Sequence, residues 1–271
     1  MAPVDPDPRV EAVVPALPAA TVMLVRDAAR LEVFVLGRNV GAAFAAGFFV
    51  FPGGKVDPGD GGAAFEPYSD GPDDAAASAA LGVDSGGLAY WVAAIRECFE
   101  EAGVLLARRR DGGPPAPRPD DRRRVHDGSL SLLELCRRDH LVLATASLRY
   151  VAHWITPVAE RPRRFDTRFF LAAAPADQVG SHDESETVDS RWVAPAEALA
   201  QAAAGDLLLM PPTVAQLRFL AGCPDVTGAL ARADAAGPPA CIMPTLEHDA
   251  GGRLLGVRLD DGTFYPTARR R

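Results

Sequence analysis

Three glutamates and an arginine fall within six consecutive residues, Arg96-Glu97-Cys98-Phe99-Glu100-Glu101. On a helix, residues three and four apart share a face, so Glu97 lies beside both Glu100 and Glu101. Carboxylates that close repel one another and cost stability unless a cation sits among them. Several hard oxygen ligands are what Mg²⁺ or Mn²⁺ prefers. Upstream lies Phe51-Pro52-Gly53-Gly54-Lys55-Val56-Asp57-Pro58-Gly59-Asp60, a glycine-rich turn whose backbone can come close to a ligand. Lys55 is the only lysine among 28 lysines and arginines. The plain alternative for the glutamates is a charged solvent face of a helix. Their fixed spacing with Arg96 and Gly103, beside a Gly-Gly-Lys turn, argues against it.

The elements that must hold these residues can be read from periodicity. Residues 19–26 and 31–38 read as two strands joined by a turn at Asp27-Ala28-Ala29-Arg30. Residues 48–51 form a short buried strand ending at the Pro52-Gly53-Gly54 breaker. Residues 61–86, rich in Gly, Ala, Asp and Pro, read as an inserted loop with a short helix near 73–81. An amphipathic helix covers 88–102, with Tyr90, Ala94, Ile95, Cys98 and Phe99 inward and Gly103 as its stop. Residues 110–121 form a second insertion, followed by one helix over 121–139. Strands are expected at 152–155, 168–172, 190–193 and 254–259. Helices are expected from Pro195 to about Ala203 and from Pro211 to Ala221. The whole reads as a mixed α/β (α+β) domain, a sheet sandwiched between helices. An extended, proline-rich arm over 1–18 precedes a single domain over 19–271, with insertions at about 61–87 and 107–147.

The 271 residues, 48% hydrophobic and 24% charged, are long enough and apolar enough for a substantial core. A formal net charge of -8 argues against a general nucleic-acid or anionic-membrane binder. Cys98, Cys136, Cys223 and Cys241 are widely spaced and match no metal pattern, so they read as reduced thiols and place the chain in the cytoplasm. No segment reads as a signal peptide or a membrane span. The histidines show no ligand spacing, and the tryptophans read as packing residues.

Gly54, Asp60 and Arg96-Glu97-x-x-Glu100-Glu101-x-Gly103 together resemble the signature box of the Nudix hydrolase superfamily. Two departures stand out. Asp60 replaces the usual glutamate, and residues 61–95 stretch the spacer far beyond its usual length. A loop can bulge that much because closure entropy grows slowly with length. Within the superfamily the chain resembles the peroxisomal coenzyme A diphosphatase branch (Nudix motif 19). Shared segments are Ala19–Val22, Phe51–Gly54, Trp154–Pro157 and Arg164–Phe170, and the likeness spans roughly residues 19–220. Coenzyme A-cleaving members often carry two arginines before the Phe-Pro-Gly-Gly turn. Arg38 matches the first, but Ala43 stands at the second.

The resemblance implies the Nudix fold and Mg²⁺-dependent (or Mn²⁺-dependent) hydrolysis of a nucleoside diphosphate linked to another group. Coenzyme A or an acyl derivative is the first choice of substrate. ADP-ribose, NADH or a dinucleotide is the alternative, and a non-catalytic nucleotide sensor is a second one. It further implies metal ligation by Glu97, Glu101, Glu100 and the Gly53 carbonyl. Glu100 and Arg96 carry catalytic roles, Arg96 by orienting a neighbouring carboxylate. Glu186 and Glu184, in an acidic loop, are the candidates for general base. Arg38, Gly54, Lys55 and Phe44 are the candidates for substrate binding, with core packing as the competing role for Phe44. The expected partner is a small nucleotide conjugate, with no nucleic acid and no membrane; a homodimer is left open.

Overall fold

The computed structural model describes residues 14–39, 47–158, 163–183 and 187–267. Strands β1 (Ala16–Asp27) and β2 (Leu31–Arg38) form the expected hairpin. Two short strands follow, β3 (Phe49–Val50) and β4 (Gly53–Lys55). Next come helices α1 (Asp74–Leu81) and α2 (Leu88–Ala102). The second insertion holds β5 (Ala107–Arg109), α3 (Asp121–His126), α4 (Leu132–Arg138) and β6 (Leu141–Leu143). Strands β7 (Arg149–Ile155), β8 (Arg164–Ala173) and β9 (Thr187–Val193) complete the body of the sheet. Helices α5 (Pro195–Ala204), α6 (Pro211–Ala221) and α7 (Val226–Ala236) come next. The described chain closes with β10 (Cys241–Ile242), β11 (Thr245–His248), β12 (Leu254–Arg258) and β13 (Phe264–Pro266).

The main sheet runs β10-β7-β8-β1-β2-β3, with β4 also on β1 and β9 also on β2. It is mixed: β1/β8 and β10/β7 are parallel and the other pairs antiparallel. Period-2 alternation along the strands builds two cores. Val22, Leu24, Phe34 and Leu36 face α2 and the inserted helices. Met23, Val25, Val33 and Val35 face α6 and α7. The sheet is therefore sandwiched between helical layers, as expected.

Four expectations need correction. The stretch read as an arm over 1–18 gives up Ala16, Leu17 and Pro18 to β1, which pairs with β8 from Ala16↔Arg164 onward. The buried Arg164 helps hold this end, donating to the carbonyls of Val14, Thr156 and Pro157. Gly53 and Gly54 do not break a strand but form one, because β4 takes its partner from β1 rather than from β3. The single helix over 121–139 is two helices. Gly128, at φ 74, ends the first turnward run, and a Ser131/Glu134 capping box starts the second. Finally, α2 is not half-exposed: all fifteen of its residues are buried. The sheet covers one side, and α1, α3 and the Pro58–Asp60 turn cover the others. Four buried charged side chains, Arg96, Glu97, Glu100 and Glu101, therefore share one helix in the middle of the molecule.

Candidate active site

Burying those charges demands internal partners, and Arg96 supplies most of them. Its Nε and Nη2 donate to Asp60 Oδ1 and Oδ2 at 2.8 and 2.9 Å, a two-pronged pair. Its Nη1 donates to Glu97 Oε1 at 2.8 Å and Glu100 Oε1 at 3.1 Å. Nη2 also reaches the Lys55 carbonyl at 2.8 Å, which ties α2 to β4. Asp60 is 2% exposed, and its Oδ2 also accepts the Asp57 N–H, so the aspartate reaches the arginine despite its short side chain. Every donor direction of the guanidinium is directed at protein, so the geometry gives Arg96 a positioning role.

The glycine strand meets the helix at two points. The Gly53 N–H donates to Glu101 Oε2 at 2.8 Å. A Cβ on Gly54 would sit 2.4 Å from Glu97 Oε1, so only glycine leaves that carboxylate its place. A Cβ on Gly53 would instead strike backbone, the Ala20 carbonyl at 2.6 Å and Thr21 Cα at 2.7 Å. Arg38, from the end of β2, brings Nη1 to 3.9 Å of Glu101 Oε1. Lys55 is exposed at the same rim.

Burial pushes the Glu97 carboxyl up to about 7. The Glu100 and Asp60 charges push the same way, and Arg96 pulls against them. Burial likewise raises Glu100 and Asp60 above the ordinary carboxylate range, again against the pull of Arg96. A carboxyl raised on folding binds its proton more tightly in the native state. The stability it contributes is complete below about 4.5 and lost as pH rises through about 7. Metal-free protein is therefore expected to lose on the order of 5 °C in Tm between pH 5 and pH 8. Glu97→Gln is expected to flatten that slope. Thermal unfolding of both proteins in chelator across this range is the check; parallel slopes would refute the assignment to Glu97.

The carboxylates open into a cavity of about 780 Å³. One end is lined by Arg38, Gly53, Gly54, Lys55, Arg96, Glu97, Glu100 and Glu101, which brings together eight of the residues expected from sequence. The other end is lined by apolar side chains from β7, β8, the start of α6 and the C-terminal strands, including Trp154, Phe165, Phe169 and Val257. Phe44, Glu184 and Glu186 lie outside the described residues, as does Ala43.

Sequence reading missed several contributors. His126 on α3 brings Nδ1 to 3.7 Å of Glu100 Oε2. Arg122 on the same helix donates to the backbone carbonyls of Glu100 and Glu101 at 2.9 Å each. It also donates to the Ser181 carbonyl at 2.9 Å, fastening the end of α2 to the loop that leads into β9. These residues sit inside an insertion, and no local spacing relates them to the glutamates. His153, read as structural, pairs with Asp166 at 2.6 Å.

Among the described residues, no three His, Cys, Asp or Glu side chains gather as a ready cation cage. The reason lies in their partners: Glu97 and Glu100 each turn one oxygen to Arg96, and Glu101 turns one to Gly53. The donor set is nonetheless all hard oxygen. Three buried carboxyl groups, on Asp60, Glu97 and Glu100, share the single guanidinium of Arg96. Those are the terms on which a divalent cation fits.

A mixed sheet between two helical layers, with a carboxylate-bearing helix held against a glycine strand, defines a Nudix-type domain. The crystal structure of a NUDIX hydrolase from Alicyclobacillus acidocaldarius has this fold. It superposes with a TM-score of 0.69 at 29% identity, over 81% of this chain and 97% of that one. The model of the NUDT19 Nudix domain matches residues 72–220, more than half of the chain, and the chain belongs to that family. Similar curated proteins include two named acyl-coenzyme A diphosphatase NUDT19. That of Gallus gallus is 34% identical over 152 residues, covering 49% of this chain and 40% of the relative. That of Homo sapiens is 34% identical over 147 residues, covering 49% and 39%. The aligned part thus spans about two fifths of those relatives' own length.

Proposed function

We propose that this chain hydrolyses the diphosphate bond of coenzyme A or an acyl-coenzyme A, giving adenosine 3′,5′-bisphosphate and (acyl-)phosphopantetheine. The observation that carries the reading is the cavity itself: buried glutamates and a glycine strand at one end, a long apolar lining at the other. The names borne by the NUDT19 relatives support the substrate class. Water adds to one phosphorus, the bond from that phosphorus to the bridging oxygen breaks, and the water proton passes to a base. Glu97, Glu101, Glu100 and the Gly53 carbonyl would hold the metal. A divalent cation, Mg²⁺ or Mn²⁺, neutralises diphosphate charge and lowers the pKa of bound water when present.

The chain's own residues do the rest. Arg96 holds Glu97 and Glu100 at fixed rotamers, so little reorganisation remains at the moment of reaction. Gly54 keeps the space beside Glu97 clear. Arg38 and Lys55, at the cavity rim, meet the phosphates. Glu186 or Glu184, by resemblance, takes the proton. Residues 19–271 act as one domain in this reading, with the insertion helix α3 buttressing the catalytic helix through Arg122.

The test is a Mg²⁺-dependent hydrolysis panel of coenzyme A, acyl-coenzyme A, ADP-ribose, NADH and diadenosine polyphosphates. The coenzyme A compounds are expected to lead in kcat/KM by about tenfold or more, a gap of about 1.4 kcal/mol in transition-state binding. ADP-ribose or a dinucleotide in first place would overturn the reading.

A further inference from the structure

The apolar end of the cavity has a direction that strand register defines. Phe169 pairs with Thr21, which pairs on its other side with Gly53. Phe169, Thr167 and Phe165 alternate along β8 and all line the cavity. Phe169 is level with Gly53 and Thr167 with Lys55, so at about 4.8 Å between neighbouring strands they form a floor roughly 10 Å to the side of the glycine strand, across β1. Trp154, on the neighbouring β7, extends that floor; it is 3% exposed, and its Nε1–H has no hydrogen-bond partner among the described residues.

The far wall comes from the C-terminal segment, through Pro244 and Val257. This segment lies beyond the matched residues 72–220. Val257 sits on the central strand of the three-stranded sheet β11-β12-β13, opposite Leu246 and Tyr265. That sheet is pinned in place: the Tyr265 ring stands edge-on to Trp154 at 6.3 Å, and Arg218 of α6 lies over it at 5.1 Å. The wall is therefore built against the floor rather than hung from a loose tail.

We infer that the β8 floor and the Val257 wall form the subsite for the acylated pantetheine arm, and that Val257 limits the length of the acyl group. This rests on the coenzyme A reading above. A long, extended chain ending in a hydrocarbon matches a trough lined by Trp154, Phe165, Phe169, Pro244 and Val257. Arg163, which also lines the cavity near this end, is the residue that would matter if the adenosine 3′-phosphate lay here instead.

The experiment measures steady-state kinetics with coenzyme A, its acetyl, octanoyl and lauroyl esters, 3′-dephospho-coenzyme A and ADP-ribose. Val257→Phe is expected to raise KM for the lauroyl ester about tenfold more than KM for free coenzyme A, the scale on which pocket volume discriminates hydrocarbon. Val257→Ala, which removes bulk and adds no clash, is expected to move the preference toward longer esters. Unchanged chain-length profiles in both variants would overturn the inference while leaving the proposed function standing. Arg163→Ala that raises KM for coenzyme A but not for its 3′-dephospho form would reverse the orientation and also overturn it. Cleavage of ADP-ribose with none of the coenzyme A compounds would overturn the proposed function and this inference together.

Discussion

Glu101→Gln is expected to lower kcat/KM of Mg²⁺-dependent diphosphate hydrolysis by about a thousandfold, or roughly 4 kcal/mol of transition-state stabilisation. The substitution keeps shape and one acceptor oxygen, so the 2.8 Å bond from the Gly53 N–H can persist. What disappears is a negative charge, on the residue that links the glycine strand, Arg38 and helix α2. Removing a charge that is 3% exposed relieves a burial cost, so Tm is expected to hold or rise. Loss of turnover with an intact Tm would separate this role from a structural one. Parallel assays of activity across a Mg²⁺ titration and of thermal unfolding are the measurement. Turnover within tenfold of the parent would remove Glu101 from the metal-binding set.

Arg96→Ala is expected to act in the opposite way, on stability first. The guanidinium is the shared counter-ion of Asp60, Glu97 and Glu100, all buried. Deleting one partner of a buried ionic network costs about 3–5 kcal/mol, because the remaining charges stay buried without compensation. At about 2–4 °C per kcal/mol for a domain of this size, Tm should fall by about 10 °C near pH 7.5. The loss should shrink toward pH 5, where the carboxyls left behind can protonate. Arg96→Lys should recover only part of it, since an ammonium cannot span both Asp60 oxygens and still reach the Lys55 carbonyl. Urea or thermal unfolding of the three proteins at both pH values provides the check. A Tm within about 2 °C of the parent for Arg96→Ala would refute the network's role.

The two variants separate functions that adjoin in the sequence. Arg96 and Glu101 lie on the same helix, five residues apart, and one holds the site while the other is held in it. Their neighbours decide this. Arg96 is ringed by Asp60, Glu97, Glu100 and the Lys55 carbonyl. Glu101 turns toward Gly53 and the cavity.

Much of this was legible in the residues themselves. The α2 boundaries at Leu88 and Ala102 follow from periodicity and from Gly103, whose φ of 68 ends the helix. The β1/β2 hairpin, α1, and the proline-led starts of α5 and α6 are local patterns with local causes, and the structure places each where expected. Other elements escaped for equally physical reasons. The β5/β6 pair joins residues more than thirty positions apart, and neither three-residue strand shows a period of its own. Helix α7 is rich in alanine and carries no strong apolar stripe, so only its packing on β7 and β8 reveals it.

The sequence by itself determined the chemistry available: three glutamates and an arginine at fixed helical spacing, and glycines where a strand must approach them. That information is local, because helix geometry and the absence of a Cβ are properties of adjacent residues. The tertiary structure alone decided how those groups are used. It gave Arg96 to Asp60 across the long insertion, brought Arg122 and His126 to the end of α2, and set Val257 in the same cavity as the β8 floor. Those relations depend on which faces pack together to bury apolar surface, and no spacing along the chain records them.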